Sequence, residues 1–108
     1  LVETIDVYPT LISVARPSFK PTAHTLDGRD MTPILKDPKA TVREAALSFW
    51  GKAVSVRTNQ HRLITSLVDG AYGNFELFDE TTRFDPVRNL ASENMPIVRE
   101  LLRHIPSK

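Results

Sequence analysis

The sequence has no cysteine among its 108 residues. That excludes disulfides, thiolate catalysis and zinc ribbons within it, and it leaves the redox compartment open. Glycine is scarce. Gly28, Gly51, Gly70 and Gly73 are the four present, and their spacing permits no phosphate-cradling glycine loop. No apolar run approaches the roughly 20 residues of a membrane helix, so no membrane partner is expected. Neither sign of charge dominates. Residues 1–54 hold seven basic and six acidic groups and residues 55–108 hold seven and seven, for a net charge of +1. A nucleic-acid binder carries a basic excess or stripe, and this sequence has neither. With 41% apolar and 25% charged residues, the composition is that of an ordinary globular domain. The sequence opens at Leu1 in amphipathic sequence, without a charged leader and cleavage site. It reads as part of a longer protein, with a processed mature chain as the alternative.

Proline divides the chain. Pro9, Pro17, Pro21, Pro33 and Pro38 punctuate the first third, and none falls between Ala40 and Asp85. Short helices and loops are therefore expected first, and regular structure after them. Ile5, Tyr8, Leu11, Ile12 and Ala15 recur at helical spacing. A helix from about Val7 to Ala15 follows if Asp6 is its N-cap, because Pro9 then sits in the first turn, where a missing N–H is harmless. The segment from Arg16 to His24 reads as a loop kept extended by Pro17 and Pro21. Leu26-Asp-Gly-Arg29 reads as a turn. Asp30 or Thr32 then caps one helical turn through Ile34 and Leu35, stopped by Pro38.

Strands follow at Ala46–Trp50, Ala53–Thr58, Arg62–Leu67 and Phe75–Phe78, with turns at Asn59 and at Asp69–Gly73. Val54 and Val56 share one face, and Phe75 and Leu77 do likewise. A last helix is expected from Glu93 to His104, capped by Ser92, with Ile97, Leu101, Leu102 and Ile105 buried and Arg99, Glu100 and Arg103 wet. The expected fold is α+β: a small four-stranded antiparallel sheet packed by a C-terminal helix, with an N-terminal helical arm. Residues 1–43 form the arm and residues 44–108 the sheet-and-helix unit.

The residues offer no complete catalytic constellation. His24, His61 and His104 lie 37 and 43 positions apart, so no metal-ligand spacing exists among them. Asp27 and Asp30 fit turn and cap chemistry. Asp79, Glu80 and Asp85 fall in one polar loop and are read as solvated. No serine stands in a Gly-x-Ser-x-Gly elbow. Arg57 and Arg62 are read as an exposed cross-strand pair. Trp50, the sole tryptophan, is either a rim or core aromatic or a stacking platform for a ligand.

Four blocks carry a resemblance. Val2-Glu-Thr-Ile-Asp-Val-Tyr-Pro-Thr-Leu-Ile12, Leu26-Asp-Gly-Arg-Asp-Met-Thr-Pro-Ile-Leu-Lys-Asp-Pro38, Ser55-Val-Arg-Thr-Asn-Gln-His-Arg-Leu-Ile64, and Glu76-Leu-Phe-Asp79 with Asp85-Pro86 and Asn89-Leu-Ala91 occur in order across nearly the whole chain. Together they resemble the C-terminal region of sulfatases of the alkaline-phosphatase-like superfamily, most of all the iduronate-2-sulfatase-like subgroup. There are departures. Arg16 stands where the family has a C-capping glycine, so a different cap is expected. Arg83 stands where the family's aspartate falls, and a rearranged loop is expected there. Leu63 replaces a tyrosine.

The resemblance implies a parent enzyme that hydrolyses sulfate esters, with sulfated carbohydrate as the substrate class. Such enzymes use a formylglycine made within Cys/Ser-x-Pro-x-Arg and a calcium ion, both in the larger N-terminal part. Ala15-Arg-Pro-Ser-Phe19 is a look-alike of that motif only, since Ala15 cannot be converted and Phe19 replaces the arginine. The resemblance therefore implies no catalytic residue and no metal ligand in this chain. It implies a partner, the N-terminal catalytic domain, and a place at the rim of its pocket, for which Trp50 and His61 are the candidates. It leaves the compartment periplasmic, secreted or lysosomal. Two rivals remain open: part of a related phosphoesterase or phosphonate hydrolase, and an independent sulfated-glycan-binding module.

Overall fold

The computed structural model describes residues 1–18, 24–82 and 87–107. The chain divides into two compact units, Leu1–Glu44 and Ala45–Lys108. The expected loop rearrangement at Arg83, with Asp85 and Pro86, lies outside the described residues, as do Phe19 and Pro21.

In the first unit a 3-10 turn, Thr4–Asp6, leads into helix α1, Val7–Ala15. Pro9 occupies the first turn of α1, as its chemistry requires. Asp6 precedes the helix, but its side chain makes no capping bond. Asp6 thus holds the expected N-cap position, with its carboxylate engaged elsewhere, as described below. The helix is polar inward and apolar outward. Asp6 and Thr10, one turn apart, are buried, whereas Ile5, Tyr8, Leu11 and Val14 are about half exposed. The end of α1 corrects the expectation of a different cap. Arg16 itself takes the left-handed conformation (φ 45°, ψ 54°) and its N–H bonds the Ile12 carbonyl. The glycine-type cap is formed here by an arginine, at the steric cost that an L residue bears there. Helix α2, Thr32–Lys36, is the expected single turn. Asp30 Oδ1 accepts the Thr32 N–H at 2.8 Å.

The second unit is an antiparallel meander, β1 Ala46–Trp50, β2 Ala53–Arg57, β3 His61–Val68 and β4 Ala71–Asp79, in that spatial order. The α+β architecture and its four antiparallel strands are those expected. Strand ends shift by one residue at Arg57, His61, Val68 and Asp79, and the start of β4 shifts by four. The β3–β4 turn is Asp69-Gly70 alone, with φ values of 50° and 83°, the backbone of a two-residue type I′ hairpin. The strand β4 therefore begins at Ala71 rather than Phe75. It accommodates the early start with a bulge: two residues, Asn74 (φ 53°) and Phe75, lie opposite Thr65.

A 3-10 turn at Ala91–Glu93 precedes helix α3, Met95–Leu102. Asn94, not Ser92, is the residue before the helix, since Pro96 then falls at its second position. On α3, Val98 and Leu101 are the residues fully buried, against Val56, Leu63 and Leu77 of the sheet, and Ile97, Leu102 and Ile105 flank them half-buried. Val98 was absent from the expected stripe. The wet face, Arg99, Glu100 and Arg103, is as expected. Burying one aliphatic side chain of this core contributes roughly 1.5–3 kcal/mol.

Candidate functional site

Two side-chain systems and one surface stand out. The first system is a buried charge cluster in the first unit. The Asp6 carboxylate, fully shielded from solvent, accepts the backbone N–H groups of Glu3 and Arg29, each at 2.8 Å. Arg43 grips it through Nε at 3.1 Å and through Nη2, and its Nη1 reaches Glu3 at 2.8 Å. Arg43 and the two backbone donors hold the Asp6 pKa down to about 2 against the desolvation that would raise it. Thr10 extends the cluster. Its hydroxyl donates to the Asp6 carbonyl at 2.6 Å and accepts the Met31 N–H at 2.8 Å. These bonds hold three sequence segments together: Glu3 to Thr10, Arg29 to Met31, and Arg43.

The second system closes the sheet unit. Glu80, expected to be solvated, is only 14% exposed and pairs with Arg62 Nε at 3.0 Å and with Arg57 Nη1 at 3.4 Å. The reason is register. Arg57 and Arg62 are directly opposed across β2 and β3, and a carboxylate between them relieves the like-charge repulsion. At the β4 edge Asn89 plays the part of a strand. Its Oδ1 accepts the N–H groups of Leu77 (3.0 Å) and Ala91 (2.9 Å), and its Nδ2 donates to the Phe75 carbonyl at 3.0 Å.

Trp50 and His61 are not brought together. Trp50 ends β1 at the β1–β2 hairpin and is 86% exposed. His61 starts β3 at the opposite end of the sheet, paired with Asp79. Five residue steps along β3 separate it from Ser66, on the rung of Trp50, which is about 17 Å of strand. Thr81 hydrogen bonds, chiefly from its hydroxyl, lower the Asp79 pKa, with His61 a lesser influence. Beside Trp50 the sheet face opposite α3 carries two adjoining shallow hollows of about 270 and 470 Å³.

Among the described residues no three His, Asp or Glu side chains converge as metal ligands, and the look-alike segment begins at Ala15, on the last turn of α1. No described helix is long and apolar enough to cross a membrane. The residues that matter most structurally, Asp6, Arg43, Glu80 and Asn89, were not singled out as interacting from sequence. Asp6 and Asn89 do fall inside the four blocks, which was the available signal.

No family model and no curated protein matches the chain. A solved structure does. It is a Bacteroides thetaiotaomicron protein labelled a 4S-sulf, from a versatile core genetic locus that orchestrates the metabolism of multiple glycosaminoglycans. The match has a TM-score of 0.67 at 20% identity and covers 94% of this chain. The chain thus has the fold of a portion of a Bacteroides sulfatase. It spans 25% of that neighbour's length.

Proposed function

We propose that this chain is the non-catalytic C-terminal portion of a sulfatase that hydrolyses sulfate esters on carbohydrate. The observation that carries the reading is the fold likeness over 94% of the chain to a quarter of a sulfatase. The four sequence blocks support it in a specific way. Asp6, Thr10, Gly28, Arg29 and Asn89, which lie within those blocks, are among the residues whose contacts hold the units together. In this reading the nucleophile, the calcium ligands and the groups that polarise the sulfate reside in the partner catalytic domain, and this portion contributes framework and pocket rim. Trp50, projecting at the end of β1, and His61, at the other end of the sheet, are the rim residues proposed. The finer assignment, to the iduronate-2-sulfatase-like subgroup, rests on the sequence blocks alone.

The test is hydrolysis by the whole gene product that contains this chain. Release of sulfate from 4-nitrophenyl sulfate and from sulfated disaccharides is expected. Preference for a 2-sulfated uronate would support the subgroup. Turnover of phosphate diesters or phosphonate esters without sulfate release would overturn the reading in favour of a phosphoesterase. Turnover by the purified 108-residue chain alone would overturn the non-catalytic role.

A further inference from the structure

The sheet has one face covered by α3 and one that carries the hollows beside Trp50. On this second face the register sets two rungs side by side. One runs Trp50, Ala53, Ser66 and Gly73, and the next runs Ser48, Ser55, Ile64 and Glu76. Strand geometry places the rungs about 7 Å apart. The other residues of the Trp50 rung are small, and the indole at the end of that rung is 86% exposed. Ser55 and Ser66 line the hollows. Asn74, turned out by the bulge, and Glu76 edge the larger hollow. The β1–β2 turn that presents the indole is fixed by Gly51 (φ 58°) and by a bond from Leu67 N–H to the Lys52 carbonyl at 3.0 Å.

The chemistry of this lining is selective. An exposed indole offers a flat apolar face to the C–H groups of a pyranose ring. Hydroxyl, amide and carboxylate groups beside it suit ring hydroxyls. Among the described residues no Lys, Arg or His lines either hollow, and Arg57 and Arg62, one rung beyond Ser55 and Ile64 on this face, are paired with Glu80. Within the hollows a sulfo group meets no basic lining residue and faces the Glu76 carboxylate. We infer that the open sheet face is a saccharide-binding groove that stacks an uncharged, hydroxyl-rich sugar ring on Trp50 and does not recognise a sulfo group. The inference goes beyond the sulfatase reading and stands on the groove alone.

The test is an NMR titration of the 108-residue chain with N-acetylgalactosamine and, separately, with its 4-sulfate, at tens of millimolar and at low and high salt. The neutral sugar is expected to shift the Trp50 indole N–H and the amides of Ala53, Ser55, Ser66 and Glu76, with little dependence on salt. The sulfated sugar is expected to bind no more tightly. Trp50→Ala, at so exposed a position, is expected to keep the melting temperature and to weaken binding by roughly tenfold or more. Absence of shifts at Trp50, shifts that persist unchanged in Trp50→Ala, or a tighter and salt-sensitive response to the sulfated sugar would each overturn the inference. The titration needs no turnover, so its outcome is separate from that of the hydrolysis assay.

Discussion

Gly28 lies against Ile5 so closely that a Cβ at Gly28 would stand 1.9 Å from the Ile5 carbonyl oxygen and 2.7 Å from its carbon. The obstacle is backbone at the entry to α1, which cannot step aside as a side chain would. Gly28→Ala is therefore expected to cost about 3 kcal/mol or more, by displacing the turn that delivers the Arg29 N–H to Asp6. Urea unfolding of the two proteins measures it. A loss under 1 kcal/mol would show that the turn can retreat from the helix without penalty.

How much of this was legible beforehand depended on how local the determinants are. The strands were, because β-branched and polar residues alternate at Val54–Arg57 and the turns carry Asn or Asp-Gly. The start of β4 was missed because Gly73 and Asn74 look like turn residues, whereas they serve a bulge. The Asp6–Arg43 bond spans 37 positions, and nothing near either residue announces the other. The apolar periodicity of α1 correctly indicated a helix but not its inward face, which is the polar one. Of the candidate site, the place of Trp50 at a strand end was legible, but its exposure was not, since a strand-end aromatic suits a rim or a core equally. The rest of its rung followed only from the register of three strands.

The buried carboxylate has a pH consequence. The folded-state pKa of Asp6, about 2, lies below its ordinary value of 3.8, so the folded state prefers the charged form. Stability from this group is fully present above about pH 4 and is lost as pH falls towards 2. The shift corresponds to roughly 2 kcal/mol. Denaturant midpoints between pH 5 and 2 are expected to fall accordingly, and Asp6→Asn is expected to flatten that part of the profile. The same variant should lose about 3 kcal/mol near neutrality, because the buried Arg43 loses the Asp6 carboxylate and keeps its pair with Glu3. An unchanged acid limb in Asp6→Asn would remove Asp6 as its cause.

Arg16 offers a gain rather than a loss. Its left-handed backbone, φ 45° and ψ 54°, costs an L residue about 1 kcal/mol, which glycine avoids for lack of a Cβ, although its greater freedom when unfolded takes back part of the gain. Arg16→Gly is expected to stabilise the chain by about 0.5–1 kcal/mol, and Arg16→Val to destabilise it, since branching at Cβ suits that region least. A thermal melt of the three proteins orders them. Glycine melting below arginine would mean that the Arg16 side chain supplies contacts worth more than the backbone relief.

Asn89 provides the sharpest test of how the sheet ends. A single amide satisfies the Leu77 N–H, the Ala91 N–H and the Phe75 carbonyl, while the neighbouring Leu90 N–H bonds the Leu77 carbonyl at 2.8 Å. The strand β4 thus meets a side chain and one peptide group where another strand would lie, and Leu77 is a core residue with no exposed surface. Asn89→Ala leaves two backbone donors and one acceptor to find water at the rim of the core. A loss of about 2 kcal/mol is expected. Global stability alone would not identify the cause, so amide hydrogen exchange is the decisive readout. Exchange at Leu77 and Ala91 should accelerate beyond the global change, while Leu63, held between β2 and β4, should follow the global change only. Equal acceleration at all three would mean that Asn89 acts on the unit as a whole and not on the β4 edge.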